Sequence, residues 1–219
     1  MTVARVTEAH RGSKGEVTHE RILVEASRLF AVRGYFGTST RDIAEAVGVR
    51  QPTLFFHFPT KQAIVEVLLE YSLAEPIRVA TMLDRQPVGA LVQIYGYVWF
   101  DTGHLLRSPY DLTGVHGDDL MSDEAFALWS QQDHRLRRLI RRMVRRGQEE
   151  GSLRRVDPRL TQELISGINL NTIRMAHSSG GSDERHIPDF VADFTLRAIA
   201  KDTLEIIDVR ERALTLVLA

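Results

Sequence analysis

Three polar residues interrupt otherwise apolar helical stripes in this chain: Thr102, Gln132 and Asn171. Tyr95, Trp99 and Trp129 stand near two of them in sequence and offer large surfaces with one polar tip each. A mostly apolar pocket with a few convergent polar groups is how a protein holds a small molecule, so these six residues form the candidate ligand site. The same pattern could equally be a core whose polar atoms bond one another, since buried polar groups require partners. Asp101 and His104 lie three apart and could share a metal with His116 or His134. Helical pairs at that spacing are more often hydrogen-bonded or surface pairs, and no metal site is assigned. Catalysis has no named candidate: there is no Walker phosphate loop, dinucleotide GxGxxG, GxSxG elbow or HExxH pair. With no cysteine there is also no thiol nucleophile, thiolate zinc site or disulfide framework. No cofactor is expected.

The elements that must position these groups are helices. Pro87 opens one whose inward face carries Leu91, Ile94, Tyr95, Val98, Trp99, Thr102, Leu105 and Leu106, and Pro109 follows its end. Tyr110 to Ser122 is expected to be a loop. Ser122 and Asp123 open a long helix with Leu128, Trp129, Gln132, Leu136, Leu139, Ile140, Met143 and Val144 on its stripe, closing near Gly151. Asp157 and Pro158 start another, along which Leu160, Leu164, Ile168, Asn171 and Met175 follow one line. After a polar loop from Ser178 to Asp183, a helix runs from Pro188 through Lys201 and is apolar nearly all round, as a helix buried on two sides is. Leu204, Ile207, Leu214 and Leu218 suggest a further amphipathic segment of unassigned role. Arg135, Arg137, Arg138, Arg141, Arg142, Arg145 and Arg146 crowd the long helix opposite its apolar stripe. That face could bind nucleic acid or an acidic ligand, or be a solvated face paired with acids such as Glu149 and Glu150.

The N-terminal part is patterned differently. Residues 1–17 lack hydrophobic periodicity and read as a flexible arm. From Thr18, Ile22, Leu23, Ala26, Leu29 and Phe30 recur at helical steps up to Gly34. Ser39 with Asp42 three residues on is a capping-box-like start for a short helix through Ile43, Ala44 and Val47, stopped at Gly48. Pro52 sits near the start of a third helix reaching about His57, and Thr60 can cap a fourth beginning at Lys61 with Ile64, Val67, Leu68 and Tyr71 inward. Leu54, Phe56 and Phe58 are expected to be mostly core. Three short helices around a glycine turn have the size of a helix-turn-helix unit.

Composition sets the bounds. With 43% hydrophobic and 26% charged residues among 219, disordered, collagenous and low-complexity classes drop out. No apolar run reaches the ~18 residues that would span a bilayer, so no membrane partner is expected. Met1 to Thr18 is too polar for a signal peptide core, and a soluble cytoplasmic protein is expected. The net charge is −1, yet residues 1–61 carry +3 and the remainder −4, an asymmetry that suggests an anion at the N-terminal part.

The run from Phe36 to Val49, FGTSTRDIAEAVGV, and the run from Gln51 to Lys61, QPTLFFHFPTK, resemble the tetracycline-repressor (TetR) family of bacterial transcription regulators. The resemblance covers residues 18 to about 64; the rest is similar only in being helical. It implies an all-α protein with a three-helix helix-turn-helix DNA-binding domain at 18–64, followed by a helical-bundle ligand-binding and dimerisation domain at 65–219. It also implies double-stranded DNA contacts from Thr40, Arg41, Gln51, Thr53, His57 and Lys61. Arg41 and Gln51 would reach bases, Thr53 a base or phosphate, and Thr40, His57 and Lys61 phosphate. Two positions depart from the family. Phe55 stands where tyrosine is usual, so only apolar contact remains there, and Arg50 replaces a small capping residue but could extend to phosphate or base. Arg5, Arg11 and Lys14 could enter a minor groove or form an unstructured arm.

The resemblance further implies a homodimer through the last two bundle helices. Its recognition helices would stand ~34 to 36 Å apart to read a pseudo-palindromic operator. The function expected is a repressor whose operator binding answers to an unidentified small-molecule effector. The effector would lie between the helices led by Pro87, Ser122 and Asp157, in an apolar, aromatic pocket, and act through the helix beginning at Lys61. The alternatives are an effector-independent DNA binder and a helical-bundle small-molecule-binding module.

Overall fold

Local signals set the first helix boundaries. Ser39, in extended conformation, accepts from the Asp42 backbone N–H at 3.1 Å, and the Asp42 carboxylate accepts from the Ser39 N–H at 2.8 Å, completing a capping box. The Ser39 hydroxyl first and its backbone N–H second, both donating to the Asp42 carboxylate, hold that carboxyl below the usual range. Gly48 closes the same helix at φ 74°, a left-handed conformation that costs a side-chain-bearing residue energy and glycine almost none.

The computed structural model describes residues 14–178, 186–202 and 206–219, and their regular structure is helical. The helices are α1 (Lys14–Arg33), α2 (Thr40–Val47), α3 (Gln51–His57), α4 (Lys61–Arg85), α5 (Ala90–Leu106), α6 (Asp118–Met121), α7 (Ala127–Glu149), α8 (Pro158–Ser178), α9 (Ile187–Ile199) and α10 (Ile206–Leu218). Short 3-10 turns at Leu112–Gly114 and Glu124–Phe126 flank α6. The expected loop from 110 to 122 is thus partly helical. Helix α1 starts at Lys14, inside the span expected to be an arm. Arg5, Arg11, most of the polar loop after Ser178, and Leu204 lie outside the described residues. No helix among the described residues is long and apolar enough to cross a membrane.

Two apolar cores organise the chain. The first joins Ile22, Leu23, Ala26 and Phe30 of α1 to Ile43 and Val47 of α2, Leu54 of α3 and Ile64, Val65 and Leu68 of α4. It is not closed within residues 18–64: Leu105 of α5, and Tyr110, Leu112, Val115, Leu120 and Phe126 from the segment between α5 and α7, complete it. This segment lies directly on α1. Gly114 passes so close that a Cβ there would overlap the Phe30 carbonyl and the Ala31 nitrogen, and Asp111 N–H donates to Ser27 Oγ at 3.1 Å.

The second core surrounds α5, which packs against α4, α7, α8, α9 and α10. Helix α4 belongs to both cores and, at 25 residues, spans about 37 Å. Helix α7 runs beside it in the same direction. Gln62 Nε2 reaches the Ala125 carbonyl at 3.4 Å near the common start, and Arg142 pairs with Asp84 at 3.1 Å near the end. The terminal segment of unassigned role is α10, which lays Val209 and Ala213 against α5 and ties Arg210 to Asp189 of α9 at 2.6 Å.

Candidate functional site

Helices α2 and α3 each turn an apolar side inward and leave a polar side out. Ile43, Ala44, Val47 and Leu54 are buried, whereas Arg41, Arg50, Gln51, Thr53 and Phe55 are exposed. Their N-termini are neighbours, with Gln51 Nε2 donating to Thr40 Oγ1 at 3.4 Å. The exposed side chains of both helices therefore share one surface. Arg50 stands at the N-cap of α3 with no side-chain capping bond, leaving its guanidinium free to extend. Arg21 fixes the other end of α2, donating to the Val47 carbonyl at 2.6 Å.

Two neighbours of this surface, Phe56 and Lys61, behave differently from expectation, and a third, His57, makes ring contacts. Phe56 is 84% exposed rather than core, because α3 is a short helix whose buried line holds Leu54 and passes to Phe58 beyond its end. It adds a second phenyl beside Phe55. Half-buried His57 meets His19 edge-on with ring centroids 6.2 Å apart, while His19 stacks on Phe58 at 4.5 Å. Burial and the neighbouring His57 push the His19 pKa down. Lys61 points back into the domain: its ammonium donates to the Tyr35 carbonyl at 2.7 Å and the Thr38 carbonyl at 2.8 Å, with burial lowering its pKa. Two of its three protons are thus used to hold the turn before α2.

In the second core the six residues expected to form a ligand site are scattered. Tyr95 is buried and donates from its hydroxyl to Asp189 at 3.0 Å, facing α9. Trp99 and Trp129 are partly buried packing residues, and Gln132 is half-buried. Asn171 is exposed, with its amide against Met175 Sδ at 3.8 Å. Thr102 is buried and donates to Asn169 Oδ1 at 3.0 Å.

The interior cavity, of about 90 Å³, lies instead among α4, α5, α7, α8 and His116. Leu73, Leu105, Leu136 and Leu170 form apolar walls, while Tyr97, Asp101 and Asn169 bring polar atoms together. Asn169 Nδ2 donates to Asp101 Oδ2 at 2.6 Å, and the Tyr97 hydroxyl donates to the same oxygen at 3.3 Å. His116, Asp133 and Arg137 line this cavity and also an outer cleft of about 1060 Å³. Thr102 is one hydrogen bond behind the cavity wall, and the other five expected residues do not line it. The available signal was the Tyr97–Asp101 pair, four apart on α5; the 68-residue separation between Asp101 and Asn169 concealed the rest. His104 turns elsewhere, its ring stacked on Tyr71 and its Nε2 3.0 Å from the Tyr71 carbonyl.

The arginine-rich face of α7 divides in two. Arg137 pairs with Asp133 and Glu163 at 2.5 and 2.7 Å, Arg141 donates to Gln162, and Arg142 and Arg146 reach Asp84. Arg135, Arg138 and Arg145 are exposed. Glu150, expected as a partner, instead accepts from the Ala90 N–H at the start of α5 at 2.9 Å.

A family model described as bacterial regulatory proteins of the tetR family matches residues 22–68. The HTH-type transcriptional repressor KstR2 of Rhodococcus jostii is 29% identical over 148 residues, 65% of this chain and 70% of that protein. Several further curated regulators are matched over 35% of their length or less. Among solved structures, AmtR of Mycobacterium smegmatis has the same fold, with a TM-score of 0.74 at 23% identity over 94% of this chain and 95% of that one. AibR, solved with isovaleryl coenzyme A and operator DNA, gives a TM-score of 0.64 at 17% identity, covering 83% of this chain and 97% of that one.

Proposed function

We infer that the chain belongs to the tetR family of bacterial regulatory proteins, and on that premise we propose a homodimeric, cytoplasmic repressor that reads a pseudo-palindromic operator and answers to a small-molecule effector. The observation that carries the DNA-reading part is the shared exposure of Arg41, Arg50, Gln51, Thr53 and Phe55 beside the N-termini of α2 and α3. Arg41 and Gln51 carry the forks that match guanine and adenine edges, while Thr40, Arg50, Thr53 and His57 lie within the same face for backbone or further base contacts.

Dimerisation is supported by α8 and α9. Leu160, Leu164, Phe190 and Phe194 are each more than half exposed in the single chain, and Leu160, Leu164, Ile168, Phe194 and Ala198 line one apolar groove. A second copy presenting the same two helices would cover this face in a four-helix arrangement and bring two α3 helices to one side of the DNA.

The link between effector and DNA has a physical route. His116 lines the cavity, and two residues earlier Gly114 rests on the α1 backbone. An effector that displaces His116 would move this segment on α1, while α4 carries the same change from the cavity wall at Ser72 and Leu73 to Lys61. Only an effector with different affinities for the two arrangements can shift operator binding.

Selection of duplex DNA from random and genomic pools by the purified protein, at a stated salt concentration, tests this reading. Enrichment of a pseudo-palindrome is the expected result. A folded dimer that enriches no sequence would overturn it in favour of a small-molecule-binding module, and operator affinity indifferent to every bound ligand would leave an effector-independent DNA binder.

A further inference from the structure

The cavity holds a carboxyl whose charge, when it is ionised, the walls do not neutralise. Asp101 is 8% exposed and both of its side-chain hydrogen bonds end on Oδ2; among the described residues Oδ1 has no hydrogen-bond partner. The other charged groups around the space are Asp133 and Arg137, and Arg137 is already held by Asp133 at 2.5 Å and by Glu163 at 2.7 Å. Burial pushes the His116 pKa down, so its imidazole is neutral near pH 7 and adds no positive charge. Burial pushes the Tyr97 hydroxyl well up, so it remains a neutral donor. His104, whose charge favours the ionised form of Asp101, does not line the cavity and holds its Nε2 against the Tyr71 carbonyl. The walls therefore sum to an excess of negative charge whenever Asp101 is ionised, with one carboxylate oxygen unclaimed.

We propose that the effector of this regulator carries a compact organic cation, a protonated primary or secondary amine of a few heavy atoms, that donates to Asp101 Oδ1 inside this cavity. This rests on the effector reading above and specifies its chemistry. Three features select the class. A protonated amine supplies both the positive charge and the N–H donor that the free oxygen requires. The volume of about 90 Å³ admits a small head group but not a ring system with substituents. Among the described residues no group of three His, Asp or Glu side chains is placed to hold a metal ion, which favours an organic cation over an inorganic one. The four leucines of the walls suit short alkyl groups on the nitrogen, and the rest of the molecule would lie past His116 and Arg137 in the outer cleft. Burial pushes the Asp101 carboxyl up, so an entering cation also relieves the cost of its ionisation.

The test uses the full-length protein with matched sets of short alkylamines, alcohols of the same shape and short carboxylates, read by thermal shift and calorimetry. Amines should raise Tm in a saturable manner where alcohols and carboxylates do not. Asp101→Asn, which keeps an acceptor for Asn169, should abolish the amine-specific shift, and Tyr97→Phe should retain it. Circular dichroism of both variants verifies that they fold. Equal shifts from amines and alcohols, equal amine shifts in the native protein and Asp101→Asn, no saturable amine shift, or the same shift from magnesium or zinc ions would each overturn the proposal. An amine that binds through Asp101 without changing operator affinity would uphold the ligand chemistry and overturn the effector reading, so the two failures are distinguishable.

Discussion

The Lys61 ammonium lies 4.0 Å from the centroid of the Tyr35 ring while donating to the Tyr35 carbonyl, so the first residue of α4 grips the turn that precedes α2. A lysine at a helix N-terminus beside DNA suggests a phosphate contact from sequence, yet its geometry here is that of a clamp. Lys61→Ala should cost about 1–3 kcal/mol of stability, because it strips charged donors from two carbonyls. The salt dependence of operator binding should change little. A variant with native Tm and a salt slope reduced by about one would instead make Lys61 a phosphate ligand.

Arg41 is exposed at the second position of α2, on the face shared with α3. Arg41→Ala should lose about 1–3 kcal/mol of discrimination at one base pair per half-site and little elsewhere. A binding series over single-base operator variants measures this, and an equal loss across all variants would assign Arg41 to the phosphate backbone.

His19 links stability to pH. Its folded pKa is depressed below the usual 6.5 by burial first and then by His57, with Glu20 acting the other way. A depressed base contributes stability that is present above the unfolded value and is lost as pH falls through the folded one. The Tm of the native protein should therefore drop on acidification below pH 6.5, and His19→Gln should flatten that drop. An unchanged profile in the variant would place the acid sensitivity elsewhere.

Leu164 on α8 and Phe194 on α9 are 58% and 55% exposed in the single chain. Their joint replacement by glutamate should yield a folded monomer by sedimentation and weaken operator binding at least tenfold, since two half-sites would no longer be held together. A dimer that survives the change would require a different interface.

The helix-turn-helix was legible because its signals are short-range: the Ser39–Asp42 box, Gly48 and Pro52 act within a few residues of themselves. The helical character of the remainder followed from apolar periodicity for the same reason. The direction each face takes did not. On α8 the line through Leu160, Leu164, Ile168, Asn171 and Met175 reads as an inward stripe, yet all of these but the half-buried Ile168 are exposed, and Thr161, Gln162, Ile165 and Asn169 are buried. A helix whose exposed side is apolar and whose buried side is mixed offers periodicity no means of choosing between them.

What the sequence by itself determined is therefore the local chain: the boundaries of α2 and α3 and the short unit with the helix-turn-helix pattern, though α1 and α6 begin where the sequence predicts no helix. The tertiary structure alone decided the phase of each long helix and the company each polar group keeps. Asp101 and Asn169 meet across 68 residues, His116 reaches the same space from a loop that also presses on α1, and Lys61 turns inward rather than out. Capping and turn energies are set by neighbours in the chain, whereas the partner of a buried charge is set by packing among distant segments, which no local pattern encodes.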